Sequence, residues 1–231
     1  MKYAITTIIL LISINAFAQQ ISYKDWQAEA KKDSRLLPEY GGAKRTKAQK
    51  TDDETYIKTA TEEMHANRHD GSDQLVGLGF QYLEKGDLRV AMYRFNQAWI
   101  LDPKNANVYT GFGTVYFIFQ DYKKSVQYFD KGLALDPKNT NLLTYKARTY
   151  MSMFETTKDT ASFFNSLSLL KKSYSIDQKN PYTTYMLSRF YIRINECDSA
   201  VKYYNKCKKS GGQPITESFE KALKAKCNIK D

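Results

Sequence analysis

The chain has 231 residues, 42% hydrophobic and 26% charged, so it is long enough and apolar enough to bury a core. This composition excludes a disordered tail, and 11 glycines with 5 prolines exclude collagen-like and proline-rich chains. The net charge of +10 favours anionic partners. Three cysteines are too few for a disulfide scaffold.

The first residues predict an export signal at 1–18. Lys2 precedes an apolar run from Ala4 to Ile14, and a small-residue cleavage motif follows at 16–18. We therefore expect the mature chain to be exported and either periplasmic or secreted. An uncleaved N-terminal anchor is the alternative, although the run is short for a bilayer span. After cleavage we expect no membrane insertion, and an exported protein is free to form disulfides.

Residues 19–71 predict a polar lead-in that is partly helical. A short helix or turn ends at Pro38, and Asp52 to His69 has the apolar period of a helix. Between them lies a basic cluster of Lys44, Arg45, Lys47 and Lys50. This cluster either binds an anionic surface or nucleic acid, or is a solvated linker. Because no aromatic residues interleave it, we favour the linker and expect no nucleic-acid partner.

His65 and His69 are four residues apart, a spacing that places two imidazoles on one helix face. Two metal ligands are one interpretation, and a solvated helix face is the other. No His-Glu-x-x-His context and no nearby cysteine supports a metal site. We therefore predict that the protein holds no metal.

The strongest pattern is a repeat with a period of 34 residues. The sequence Leu-Asp-Pro-Lys-Asn occupies 101–105 and recurs at 135–139, and Ile-Asp-Gln-Lys-Asn lies at 176–180. Upstream of the first copy stand regularly spaced apolar and small residues, namely Leu75, Leu78, Gly79, Tyr82, Ala91 and Phe95. This pattern resembles the tetratricopeptide repeat family, with Leu75 at the position of the usual tryptophan.

The resemblance implies an all-α fold, a right-handed solenoid of about four helix-turn-helix repeats with a concave surface. The repeats fall at 72–105, 106–139, 140–180 and 181–214, and a capping helix and tail at 215–231. The third repeat carries seven extra residues, which the spacing places between Tyr150 and Ser173. We expect them to lengthen the turn at the polar stretch 155–160.

In this family the first helix of each repeat lines the groove. The resemblance therefore implies that the groove includes Phe80, Thr114, Arg148, Tyr182, Tyr185, Arg189 and Arg193. The three arginines lie in the C-terminal half, and guanidinium groups pair well with carboxylates, so an acidic or C-terminal peptide fits. In the alternative interpretation these arginines are solvated and paired with nearby acids. The Lys/Asn arrangement of chaperone-binding carboxylate clamps is absent.

The cysteines predict one disulfide. Cys197 follows the first helix of repeat four, and Cys227 ends the capping helix, so both fall at the same edge of the solenoid. Cys207 occupies a small-residue position on a second helix and should stay buried and free. Three unrelated thiols are the alternative.

The sequence carries no catalytic set, because its two histidines lie in the lead-in and no glycine-rich phosphate loop occurs. We predict that the protein is not an enzyme, has no cofactor, and binds a protein or peptide segment in its groove. A cell-envelope binder of anionic polymer is the alternative, distinguished by a steep dependence on salt. The stretch at 36–41 also resembles the lead-in of secreted bacterial repeat proteins, which names no activity.

Overall fold

The computed structural model describes residues 21–228, so the predicted export signal lies outside the described residues. Within that range the structure is helical and contains no strand. Its α-helices, in chain order, are α1 (Tyr23–Ala30), α2 (Lys47–Glu63), α3 (Arg68–Glu84), α4 (Leu88–Leu101), α5 (Ala106–Ile118), α6 (Tyr122–Leu135), α7 (Thr140–Thr157), α8 (Thr160–Ile176), α9 (Pro181–Arg193), α10 (Cys197–Lys209) and α11 (Glu217–Cys227).

Helices α3 to α10 pack as four consecutive hairpins, which is the all-α repeat architecture that the sequence predicts. The first helix of each hairpin, α3, α5, α7 or α9, also packs on the first helix of the next. Among the described residues the second helices have no comparable contact with one another. The array therefore curves toward its first helices, which line the inner face.

The recurring Asp-Pro-Lys-Asn motif connects one hairpin to the next. The Asp102 carboxylate accepts a hydrogen bond from the backbone N–H of Lys104, and Asp136 does the same for Lys138. The asparagine that ends the motif then caps the following helix, as Asn105 does for α5. Its side chain accepts a hydrogen bond from an N–H that has no partner within the helix. The repeat in the sequence thus records a repeated turn and cap.

Glycines on the first helices let aromatic rings from the second helices pack closely, as predicted for Gly79 and Gly113. A Cβ at Gly79 would lie 2.3 Å from Phe95, and one at Gly113 would lie 2.3 Å from Phe129. Both rings are fully buried.

The seven extra residues of repeat three lengthen its helices and not its turn, so the expected longer turn is wrong. Helix α7 has 18 residues where α5 has 13, and α8 has 17 where α6 has 14. The turn at 158–159 is one residue shorter than the turn at 119–121. Lys158 adopts φ 60° and Asp159 caps α8, so two residues are enough to reverse the chain.

The lead-in packs against the hairpins. Trp26 and Leu36 are each only 1% exposed and belong to the same core as Phe95 and Phe112. The side-chain amide of Asn96 donates hydrogen bonds to the carbonyl oxygens of residues 35 and 37, at 2.8 and 2.9 Å. The segment from 21 to 43 therefore covers the outer side of the first two hairpins.

The predicted single helix from Asp52 to His69 is two helices. Helix α2 ends at Glu63, His65 adopts φ 49° in the turn, and α3 begins at Arg68. Of the basic cluster, Arg45 pairs with Asp53 at 2.5 Å and lies over the ring of Tyr40. Such contacts fit the linker interpretation of this stretch.

Helix α11 covers the end of the array. Thr216 caps it as the sequence predicts, accepting a hydrogen bond from the N–H of Phe219. Leu223 is fully buried against Ala200 and Tyr204 of α10. Across residues 21–228, none of the helices combines the length and apolar character of a membrane span.

Candidate functional site

The inner face of the solenoid carries two pockets in succession. The first has a volume of about 400 Å³ and lies in the N-terminal half. Its aromatic side is formed by Phe80, Tyr145 and Tyr182, with ring centroids 6.1 and 5.0 Å apart along the row. Burial raises the pKa of Tyr145 to about 12, so its hydroxyl is neutral and can donate a hydrogen bond.

The polar side of the first pocket is a ladder of amides from consecutive repeats. The side chains of Asn105 and Asn107 donate to one oxygen of Asp73 at 2.8 and 3.0 Å. Asn139 in turn donates to Asn107 at 3.0 Å. The Asp73 charge is therefore already satisfied by neutral donors, and this half of the groove is polar and aromatic.

The second pocket, of about 350 Å³, lies between α7, α9 and α11. Arg148, Arg189 and Arg193 all line it, together with Lys226 of the capping helix. Glu155 is the one acidic residue in the lining, and it pairs with Arg193 at 3.3 Å.

The structure divides the predicted groove residues between these pockets. Phe80 and Tyr182 line the first pocket, and the three arginines line the second. Thr114 is buried and donates its hydroxyl to the carbonyl of residue 110, and it lines neither pocket. Tyr185 is also buried, packing against Phe219 of α11 with ring centroids 5.1 Å apart. Tyr185 therefore supports the second pocket from behind.

Sequence reasoning missed several residues that line these pockets. Tyr145 of α7 and Phe117 at the end of α5 lie outside the family positions used for the prediction. Phe219 and Lys226 come from α11, which the sequence presents as a cap and not as a groove wall. A signal for α11 was present in its apolar side, but the surface it faces depends on how the helix docks.

The two predicted histidines lie on different elements, and the described residues bring together no group of three or more His, Cys, Asp or Glu suited to a metal. His69 instead places Nδ1 2.7 Å from an oxygen of Asp102 and Nε2 3.8 Å from Asp73. The hydrogen bond to Asp102 raises the pKa of His69, and burial opposes this only in part. The pair joins the start of α3 to the end of α4.

We expect this pair to make stability depend on pH. A raised pKa in the folded state means that the charged imidazole stabilises the protein at low pH, and that this contribution is lost as pH rises through the pKa of His69. Because the side chain of His69 is 58% exposed, the effect should stay below about 1 kcal/mol. Urea unfolding of His69→Gln should show a larger deficit against wild type at about pH 5 than at about pH 9. The exposed His65→Gln is the control, and an equal deficit at both pH values would contradict the assignment.

The structure brings Cys197 and Cys227 together with their Cα atoms 5.4 Å apart, within the range of a disulfide. Cys207 is fully buried, and burial raises the pKa of its thiol. It donates a hydrogen bond to the carbonyl of Pro181 at 3.2 Å. The disulfide itself stays a prediction.

Comparison with known proteins agrees with this geometry. The family model described as tetratricopeptide repeat matches residues 106–139, which span α5 and α6. The chain is a tetratricopeptide repeat protein, with the helical solenoid fold of such proteins. Among curated proteins, none matches the chain.

Solved structures show the same fold at low sequence identity. TTC0263, a thermophilic tetratricopeptide repeat protein of Thermus thermophilus, gives a TM-score of 0.57 at 14% identity, over 67% of this chain and 80% of that one. A tetratricopeptide repeat protein from Parabacteroides merdae gives 0.47 at 16% identity, over 68% and 60% of the two chains. A MamA structure gives 0.45 at 19% identity, over 71% and 92%.

Proposed function

We propose that the inner groove binds an extended or helical segment of a partner protein, and that the chain does so after export. Solenoids of this fold generally mediate protein–protein interaction through their concave surface. The observation that carries the proposal is the pair of pockets on one inner face. An aromatic and amide-lined pocket followed by a cationic one is suited to a polypeptide with both apolar and acidic side chains.

The export part of the proposal rests on the sequence of residues 1–18. If it is correct, the mature protein begins at Gln19, and mass spectrometry of the protein from the envelope or medium measures this directly. Retention of Met1 in the exported protein would contradict cleavage. Residues 1–18 contain one charged side chain, Lys2, so the mature protein keeps its basic character.

The groove proposal predicts a charge-reversal result. In a displayed library of random peptides, clones selected on the mature protein should lose at least about 100-fold in affinity for Arg148→Glu/Arg189→Glu, because a buried charge pair that becomes a repulsion costs several kcal/mol. The circular dichroism of this variant should be unchanged, since neither guanidinium holds helices together through an ion pair among the described residues.

The matched control is Lys202→Glu/Lys209→Glu, which makes the same charge change on exposed positions of α10. Peptide binding in the groove should survive this control nearly unchanged. If the two variants lose affinity equally, and wild-type binding falls steeply with salt, the protein is a binder of anionic polymer and the groove proposal is wrong. Full retention of affinity by the Arg148→Glu/Arg189→Glu variant would place the peptide site elsewhere.

A further inference from the structure

We propose that the second pocket binds a carboxylate carried next to an apolar side chain, an inference that rests on the proposed function and names the chemistry of the partner segment. The pocket is defined by its lining residues from α5, α7, α8, α9 and α11. Its cations are Arg148, Arg189, Arg193 and Lys226, against one acid, Glu155. That imbalance is the starting point.

Two of the guanidinium groups are held by aromatic rings instead of acids. Arg148 lies over Phe117, 4.3 Å from the ring centroid, and donates to the Tyr182 hydroxyl at 3.3 Å. Arg189 lies over Tyr185 at 5.7 Å. Within residues 21–228 neither forms an ion pair. Stacking orients a guanidinium while leaving N–H donors at its edge for a planar, bidentate acceptor.

Glu155 does not neutralise these two groups, because it is already paired with Arg193. The remaining cations, Arg148, Arg189 and Lys226, repel one another across the pocket, since like charges at close range are unfavourable. An incoming carboxylate removes that repulsion and gains charge-assisted hydrogen bonds. A neutral amide of the same shape gains neither.

The rest of the lining is apolar and explains why the carboxylate should have a hydrophobic neighbour. Met151, Met186 and Phe219 are buried or half-buried and face the same pocket as the arginines. A volume of about 350 Å³ accommodates one or two amino-acid residues and not a bare anion alone. Methionine side chains adapt to the shape of an apolar ligand group. A leucine-sized side chain beside a carboxylate therefore fits both halves of the pocket.

A polypeptide supplies this chemistry from two sources, its C-terminal carboxylate or an Asp or Glu side chain. Two pairs of probes separate them: N-acetyl-leucine against N-acetyl-leucinamide, and acetyl-Glu-Leu-amide against acetyl-Gln-Leu-amide. In NMR titrations of the mature protein with labelled methionine methyls, the carboxylate member of at least one pair should bind about tenfold more tightly or better. The pair that shows the preference identifies the source. Equal binding within both pairs would overturn the inference.

Variants assign the preference to the pocket. Arg148→Gln and Arg189→Gln should each weaken the carboxylate probe about tenfold while leaving its amide counterpart unchanged. Lys209→Gln removes one positive charge outside the pocket and should change neither. Carboxylate binding that is insensitive to both arginine variants, or phenyl phosphate binding more tightly than every carboxylate probe, would also overturn it.

These outcomes are distinguishable from failure of the proposed function. If library peptides bind the groove but show no preference for a carboxylate, the function stands and this inference is wrong. If the small carboxylates bind and shift Met151 and Met186 but no peptide is selected, the pocket is as inferred and the peptide-binding function is wrong.

Discussion

Gly79→Ala is expected to destabilise the protein by about 1–2 kcal/mol, whereas Gly77→Ala on the same helix is expected to stabilise it by up to about 1 kcal/mol. Both glycines lie inside α3, so the same gain in helix propensity applies to each. What differs is the space around the new methyl group. At Gly77 nothing lies within 4 Å, but at Gly79 the methyl would meet the ring of Phe95 at 2.3 Å.

The Phe95 ring has no free direction in which to retreat. A Cβ at Gly111 of α5 would lie 2.4 Å from the same ring, so the ring is packed between the first helices of two consecutive hairpins. Phe95 is also fully buried, in ring contact with Phe80 and Phe112. Overpacking at such a site costs about 1–3 kcal/mol, which exceeds the gain in helix propensity.

Chemical denaturation of the two variants beside wild type measures this difference. Adding Phe95→Leu to Gly79→Ala should recover part of the loss, because the smaller side chain leaves room for the methyl group. If Gly79→Ala is as stable as Gly77→Ala, the close approach of α3 to Phe95 is wrong.

Much of the repeat array could be predicted because its pattern is local. The 34-residue period, the small residues at Gly79 and Gly113 and the Asp-Pro-Lys-Asn turn each act within one hairpin or between neighbours. The lead-in could not be predicted in this way. Trp26 packs against Phe119, more than 90 residues away, and sequence spacing carries no record of such a contact.

The helical extension of repeat three escaped prediction for a different reason. The stretch around Glu155 to Thr160 is rich in threonine and charge, which is typical of a turn. Phe154 and Phe163 nonetheless pack with ring centroids 5.0 Å apart, one from each helix. This tertiary contact extends α7 and α8 past the polar residues, since packing outweighs weak local propensity.

The candidate site divides along the same line. The positions of Arg148 and Arg189 on the inner face follow from the repeat register, so the sequence could indicate them. The pairing of Arg193 with Glu155 depends on the longer α7, and the contribution of Phe219 depends on the docking of α11. Neither follows from a repeat period, because each joins a regular element to an irregular one.

Loss of the disulfide between Cys197 and Cys227 is expected to lower the free energy of unfolding by about 3 kcal/mol, and to act mainly on the end of the solenoid. The bond closes a loop of sequence separation 30, which restricts the unfolded chain. Few other contacts hold α11, chiefly those of Leu223 and Phe219. Terminal helices without such fixing fray first.

The measurement compares oxidised wild type, reduced wild type and Cys197→Ser/Cys227→Ser. The last two should unfold alike and should be cleaved by protease first between α10 and α11, at the exposed Gly211. Peptide mapping without reductant should find Cys197 linked to Cys227 and Cys207 as a buried thiol that reacts after unfolding. Alkylation of Cys197 and Cys227 in the untreated exported protein, or Cys207 in the bridge, would contradict the pairing.

The same variant also tests how the capping helix contributes to the groove. Helix α11 supplies Phe219 and Lys226 to the cationic pocket, so fraying of α11 removes an apolar wall and one positive charge. We therefore expect Cys197→Ser/Cys227→Ser to weaken binding of the carboxylate probes while the first pocket, formed by α3, α5, α7 and α9, is unaffected. Because the disulfide lies at the far end of α11 from Thr216, it fixes the end of the helix that carries Lys226. Unchanged probe binding by a variant with a demonstrably frayed α11 would remove the capping helix from the site.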